Sequence, residues 1–190
     1  IVAHIKTDSI KIPDATPEII QFVMDYGKKY GYTFEHEDTY DRICLVNDAV
    51  YIAKYKEPHK DKEIGKDIWW TATGAQFQQP YVFKTLFSKE PLTFDDFCET
   101  KSVTSGALYL DYEDGKPPCF VGRVGQFTPV TEGHGKLVRE KDGKFLSATG
   151  TKGYLWLESE SVRGTSIERF VDRNYYDRMV DEAVKDISEA

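Results

Sequence analysis

Apolar and polar positions alternate with different periods along the chain, and the changes of period mark its elements. Ile5, Ile10 and Ile12 flank the polar run "KTDS" at residues 6–9, which predicts a short strand, a turn and a second strand. In "PDATPEIIQFVMDYGKKYGY", Ile19, Val23, Tyr26 and Tyr30 recur at helical spacing. Thr16 is the expected cap, Pro17 suits the first turn, Glu18 complements the helix dipole and Gly31 ends the run. "YTFEHE" alternates, which predicts a strand with Tyr32, Phe34 and His36 on one face. "RICLVNDAVYIAKY" reads as a further strand, or as a hairpin turning at Asn47 and Asp48. Strand, helix, strand, strand predicts an α+β fold.

Residues 56–67, "KEPHKDKEIGKD", are charged and contain Gly and Pro, so a loop and a domain boundary are expected there. "PYVFKTLF" and "TFDDFCET" predict two helices, the second capped by Thr93. From about 108 to 157 the alternation is β-like, with a hairpin signal at Asp142 and Gly143. A C-terminal helix is expected over about 172–188, capped by Asp172, with Tyr176, Met179, Val180, Ala183 and Ile187 as its buried stripe. The expected organisation is therefore a first domain over 1–56 and a second over 57–190, mixing helices and β-hairpins.

Composition narrows the class. With 40% hydrophobic and 30% charged residues, 190 residues can bury a core, and disorder is excluded. No apolar run reaches the length that spans a bilayer as a helix. Cys44, Cys98 and Cys119 are scattered without zinc spacing, so a reduced cytoplasmic setting and no structural metal are expected. The four histidines show no ligand spacing either, and the side-by-side Trp69 and Trp70 are expected to pack rather than stack on a base. The formal charge of −7 argues against a uniformly basic nucleic-acid binder. Acidic residues crowd into "FEHEDTYD", "FDDFCE" and the tail, which leaves room for a local basic face from Arg123, Lys136, Arg139 and Lys144. Lys152, between Gly150 and Gly153, is a candidate phosphate contact in a tight glycine turn.

The strand–turn–strand around "KTDS" resembles the third palm motif of family B DNA polymerases. The order that follows is similar too: "PEIIQFVMDYGKKYG", then "YTFEHEDTY", then "ICLVNDAVYIAKYK". "VDRNYYDRMVDEAV" resembles the Asp-x-x-Tyr-Tyr helix near the end of the thumb in that family. The wording and aromatic content are most like the polymerases of bacterial viruses, whose compartment is the cytoplasm of the bacterial host. The resemblance covers about the first 55 and the last 20 residues.

It implies that Asp8 is a catalytic Mg²⁺ ligand in a two-metal site completed by residues outside this chain. It implies primer-strand contacts by Tyr51, Lys54 and Lys56. Three positions depart from the family pattern. Lys6 stands where the family has its first aspartate and becomes a candidate phosphate contact, and Asn47 and Asp48 replace a lysine pair expected before Tyr51. Lys144 and Lys152 complete the expected DNA-binding set. The implied partners are primer–template DNA, a deoxynucleoside triphosphate and the remainder of the polymerase chain. The implied function is template-directed nucleotidyl transfer in DNA replication. Because Ile1 is not an initiator methionine and "IVAHI" already reads as strand, the chain is expected to be a C-terminal piece, inactive alone. The alternative is a free-standing acidic α+β module that binds a protein partner or single-stranded DNA without catalysis. A metal-dependent nuclease is a poorer third, since Asp8 has no neighbouring acids in the sequence.

Overall fold

The opening hairpin forms as the sequence predicts. In a computed structural model, which describes residues 2–63, 65–131, 135–147, 153–157 and 170–190, β1 (His4–Lys6) and β2 (Ser9–Lys11) pair antiparallel. The register is His4 with Lys11, Ile5 with Ile10 and Lys6 with Ser9, leaving Thr7 and Asp8 as the turn. Helix α1 (Pro17–Lys29) begins at Thr16, whose hydroxyl accepts from the Ile19 amide, with Pro17 in the first turn. Its chain leaves through Gly31 at φ +83°, a conformation that costs glycine little.

Two corrections follow in this region. Residues 32–37, expected as a strand, pair with no strand among the described residues; their alternation is satisfied instead by Phe34 lying against α1 at Gly27, where a Cβ would meet the ring at 2.4 Å. Residues 56–60, expected as part of a loop, continue strand β4 (Tyr51–Lys60). β4 accommodates Pro58 by slipping register between Lys54 and His59, because proline cannot donate to a regular ladder. The boundary expected after residue 56 therefore falls inside a strand.

The hairpin between β3 (Tyr40–Leu45) and β4 turns where expected. Asn47 Oδ1 accepts from the amides of Ala49 and Val50 at 2.9 and 3.0 Å, an Asx turn that makes Asn a specific choice. β5 (Asp67–Ala72) completes an antiparallel sheet ordered β3-β4-β5, followed by the short α2 (Ala75–Gln78). Ile52, Ala53, Ala72 and Phe77 are the buried apolar residues here. The chain separates into two units: residues 1–78 with 186–190, and residues 79–185.

The second unit opens with α3 (Pro80–Phe83), which widens into a π turn over Lys84–Ser88. The helix expected from "TFDDFCET" is one 3₁₀ turn, Phe94–Phe97, closed by a Thr93/Asp96 capping box. The β-rich block starts earlier than expected, at β6 (Glu99–Ser102), and continues through β7 (Ala107–Asp111), β8 (Cys119–Gly122), β9 (Val124–Val130), β10 (Lys136–Lys141), β11 (Lys144–Ser147) and β12 (Gly153–Trp156). Two antiparallel sheets result, ordered β11-β10-β7-β8 and β12-β9-β6. They are joined at an isolated bridge between Gly135 and Tyr154. Leu108, Leu110, Leu137, Phe127 and Tyr154 form the core between them.

Helix α4 (Arg173–Glu189) follows the expected pattern. Asp172 Oδ1 accepts from the Tyr175 amide, Tyr176 and Ala183 are buried, and the partly buried Met179 and Val180 pack against the cluster of Tyr81, Phe97, Val171 and Tyr176. The fold is thus α+β, with four antiparallel sheets and four helices among the described residues. No described helix is long and apolar enough to cross a membrane.

Candidate functional site

Asp8 is exposed at the tip of the β1–β2 hairpin. Directly paired residues on an antiparallel hairpin share a face, so His4, Lys6, Ser9 and Lys11 line one side and Ile5 and Ile10 the other. The polar side is the anchored one. His4 is 8% exposed, and its Nε2 donates to the Asp48 carbonyl at 2.9 Å. A carbonyl can only accept, which fixes the proton on that nitrogen. The Lys11 ammonium lies 4.5 Å from the centroid of the Tyr51 ring, and the His4 ring lies 6.2 Å from it.

These contacts join the hairpin around "KTDS" to "ICLVNDAVYIAKYK", two of the segments that carry the resemblance. They also give a role to the two departures at residues 47 and 48: Asn47 closes the β3–β4 turn and Asp48 receives His4. Ile5 and Ile10, on the far side of the hairpin, stay 69% and 37% exposed.

Tyr51 belongs to a row of rings along β3 and β4. The Tyr40 ring is 6.5 Å from Tyr51 and 5.5 Å from Tyr55, and Tyr55 lies 4.3 Å from His59. His59 Nε2 closes on the Asp38 carboxylate. Burial, reinforced by the neighbouring Tyr51, pushes the Tyr40 hydroxyl well above the ordinary phenol range, so Tyr40 is a neutral hydrogen-bonding group across the physiological range.

The expected lysines are dispersed. Lys6 and Lys56 are exposed and form no ion pair among the described residues. Alternation along β4 places Lys54 on the face opposite Tyr51. There its ammonium sits 5.8 Å from the Trp69 ring and 3.8 Å from Asp41. Trp69 is 43% exposed, so this ring is not simply core packing. Lys144 is exposed on β11 in the second unit, and Lys152 lies outside the described residues.

No family model, curated protein or solved structure matches the chain.

The donor set bears on Mg²⁺ directly. No group of three or more His, Cys, Asp or Glu among the described residues could hold a metal ion. Asp8 offers one exposed carboxylate. That fits a Mg²⁺ ion held mostly by water and substrate phosphates, and does not fit a site built from this chain alone.

Sequence reasoning missed His4, Lys11 and Asp48. The signal was available: with a two-residue turn centred on Thr7 and Asp8, His4 must face Lys11 across the hairpin. Which side of that hairpin would meet β4 was not legible, because it depends on contacts between segments about 40 residues apart.

Proposed function

We propose that this chain is the C-terminal palm and thumb portion of a family B-like DNA polymerase, acting in template-directed nucleotidyl transfer. One observation carries the proposal: the hairpin that presents Asp8 is anchored through His4 and Lys11 to the β3–β4 turn and to Tyr51. Two motifs that the resemblance pairs by order alone are thereby in contact.

In this reading Asp8 supplies one carboxylate toward Mg²⁺, which when bound would screen the phosphates of the incoming nucleotide. In the same reading Lys6, exposed beside the turn, is a phosphate contact. Tyr51, whose ring lies under the Lys11 ammonium, is in this reading a primer-strand contact. Lys54 and Lys56 lie further along the same strand, on the face that alternation sets opposite Tyr51. The rest of the metal site and the grip on the nucleotide belong to other parts of a longer polymerase chain.

The test is primer extension by that longer polymerase carrying Asp8→Asn. The proposal expects activity to fall on the order of a thousandfold, about 4 kcal/mol of barrier, with duplex binding retained. Undiminished extension would remove Asp8 from the metal site.

A further inference from the structure

The four-stranded sheet of the second unit has an apolar face on both sides. Leu108, Leu110 and Leu137 point into the core and are fully buried. On the outward side, pairing puts Phe120, Tyr109, Val138 and Ser147 on one line across β8, β7, β10 and β11. Phe145, paired with Glu140, lies beside that line. The Tyr109 ring stands edge-on to both neighbours, 5.4 Å from Phe120 and 5.1 Å from Phe145. Val138 is buried beneath, while Phe120 and Phe145 are 61% and 49% exposed. An antiparallel sheet with one face on the core ordinarily keeps its other face polar, so an exposed aromatic row there marks a binding surface.

The charges around the row indicate what it binds. Of its acids, Glu113 holds Lys136 and Asp114 holds Lys116, Asp111 and Glu140 accept from the amides of Glu113 and Gly143, and Asp142 stands in the turn between Lys141 and Lys144. By contrast, Arg123, Arg139, Lys141 and Lys144 form no ion pair among the described residues. Lys141 and Lys144 are also directly paired across the β10–β11 hairpin, where like charges repel. Their side chains start on the core-side face, but the hairpin is the sheet's edge and long lysine stems reach around it. Rings that offer flat faces, beside cations that lack partners, suit unstacked bases on a phosphate chain. Duplex DNA keeps its bases stacked on each other and leaves the rings unused.

We propose that the outward face of the β11-β10-β7-β8 sheet binds single-stranded nucleic acid, stacking bases on Phe120 and Phe145 and holding phosphates at the Lys141 and Lys144 edge. The sheet carries these features whether or not the first unit belongs to a polymerase.

The experiment is fluorescence anisotropy of labelled dT12, and of a 12-base-pair duplex, titrated with this chain. The proposal expects dT12 to bind at low salt more tightly than the duplex. Phe120→Ala and Phe145→Ala should each weaken dT12 binding about tenfold while leaving its salt dependence unchanged. Lys141→Gln with Lys144→Gln should flatten the log–log salt slope by about 1.4. Phe145→Leu keeps the apolar area and removes the flat ring, so it should also weaken binding, and it guards against a misfolded alanine variant.

Absence of dT12 binding at low salt would overturn the proposal, as would ring variants that bind like the parent chain. A chain that self-associates through Phe120, with dT12 ignored, would make the row a protein interface instead. The ring variants leave the first unit intact. A parent chain that ignores dT12 yet binds primer–template fails this proposal alone, and one that binds dT12 through its rings yet ignores primer–template fails the polymerase reading alone.

Discussion

The ammonium of Lys11 sits over the ring of Tyr51, 4.5 Å from its centroid. This contact and the bond from His4 to the Asp48 carbonyl attach the hairpin that carries Asp8. Partly exposed cation–π pairs contribute about 0.5–1 kcal/mol. Lys11→Met, which keeps the stem and removes the charge, should therefore raise hydrogen exchange at the Lys6 and Ser9 amides, the pair that flanks the two-residue turn, about two- to fivefold, with the core of the β3-β4-β5 sheet unchanged. Unchanged exchange would mean that His4 alone holds the hairpin.

Asp96 closes the 3₁₀ turn after Thr93 and pairs with Lys84 at 2.9 Å. Burial pushes its carboxyl up, but the Thr93 amide and the Lys84 ammonium outweigh burial and hold it below the usual carboxylate range. A depressed folded value means that the stabilisation is present above the unfolded pKa of about 4 and is lost as the pH falls through the folded value. Asp96→Asn should cost about 2 kcal/mol at neutral pH, read by urea unfolding. The gap between variant and parent should close as the pH falls below about 4.

Gly106 enters β7 at φ +72°, and a Cβ there would lie 2.2 Å from the Glu140 carbonyl oxygen of β10. Backbone cannot yield as a side-chain end can. Gly106→Ala should destabilise the second unit by about 2 kcal/mol or more, measured by urea unfolding. A neutral result would show that the β7–β10 pairing is looser than its register implies.

Tyrosines dominate the packing of α4. Burial and the nearby Glu99 carboxylate push the Tyr175 hydroxyl up to about 12, and Tyr176 is shifted further in the same direction by the same causes. Raised folded values mean that this stabilisation is complete below the unfolded pKa of about 10 and is lost as the pH rises through the folded values. The phenolate absorbance of the folded chain should therefore show a delayed class of tyrosines that appears together with alkaline unfolding. Tyr176 Oη is buried without a hydrogen-bond partner among the described residues, so Tyr176→Phe should be neutral or stabilising by about 1 kcal/mol.

Much of the architecture was legible because local signals agreed with one another. Thr16 and Pro17 start α1, Asn47 turns the β3–β4 hairpin, and Tyr176 and Ala183 mark the buried side of α4. Where the sequence misled, a tertiary contact decided. "YTFEHE" has strand alternation but gains no strand partner, and Phe34 packs on Gly27 instead. "KEPHK" looks like loop, yet β5 pairs with its end at His59 and Lys60. For the candidate site, the exposure of Asp8 at a turn was legible from "KTDS". The attachment of that turn to Tyr51, and the separation of Lys54 from Tyr51 onto opposite faces, depended on how the strands register and pack.

The most direct measurement of the central claim is binding of this chain to a fluorescent primer–template duplex across a salt series, for the parent chain and for Lys6→Gln with Lys56→Gln. The polymerase reading predicts micromolar binding that weakens steeply with salt, and a shallower salt slope in the variant as two phosphate contacts are lost. No binding at low salt, or a slope indifferent to both lysines, would contradict it.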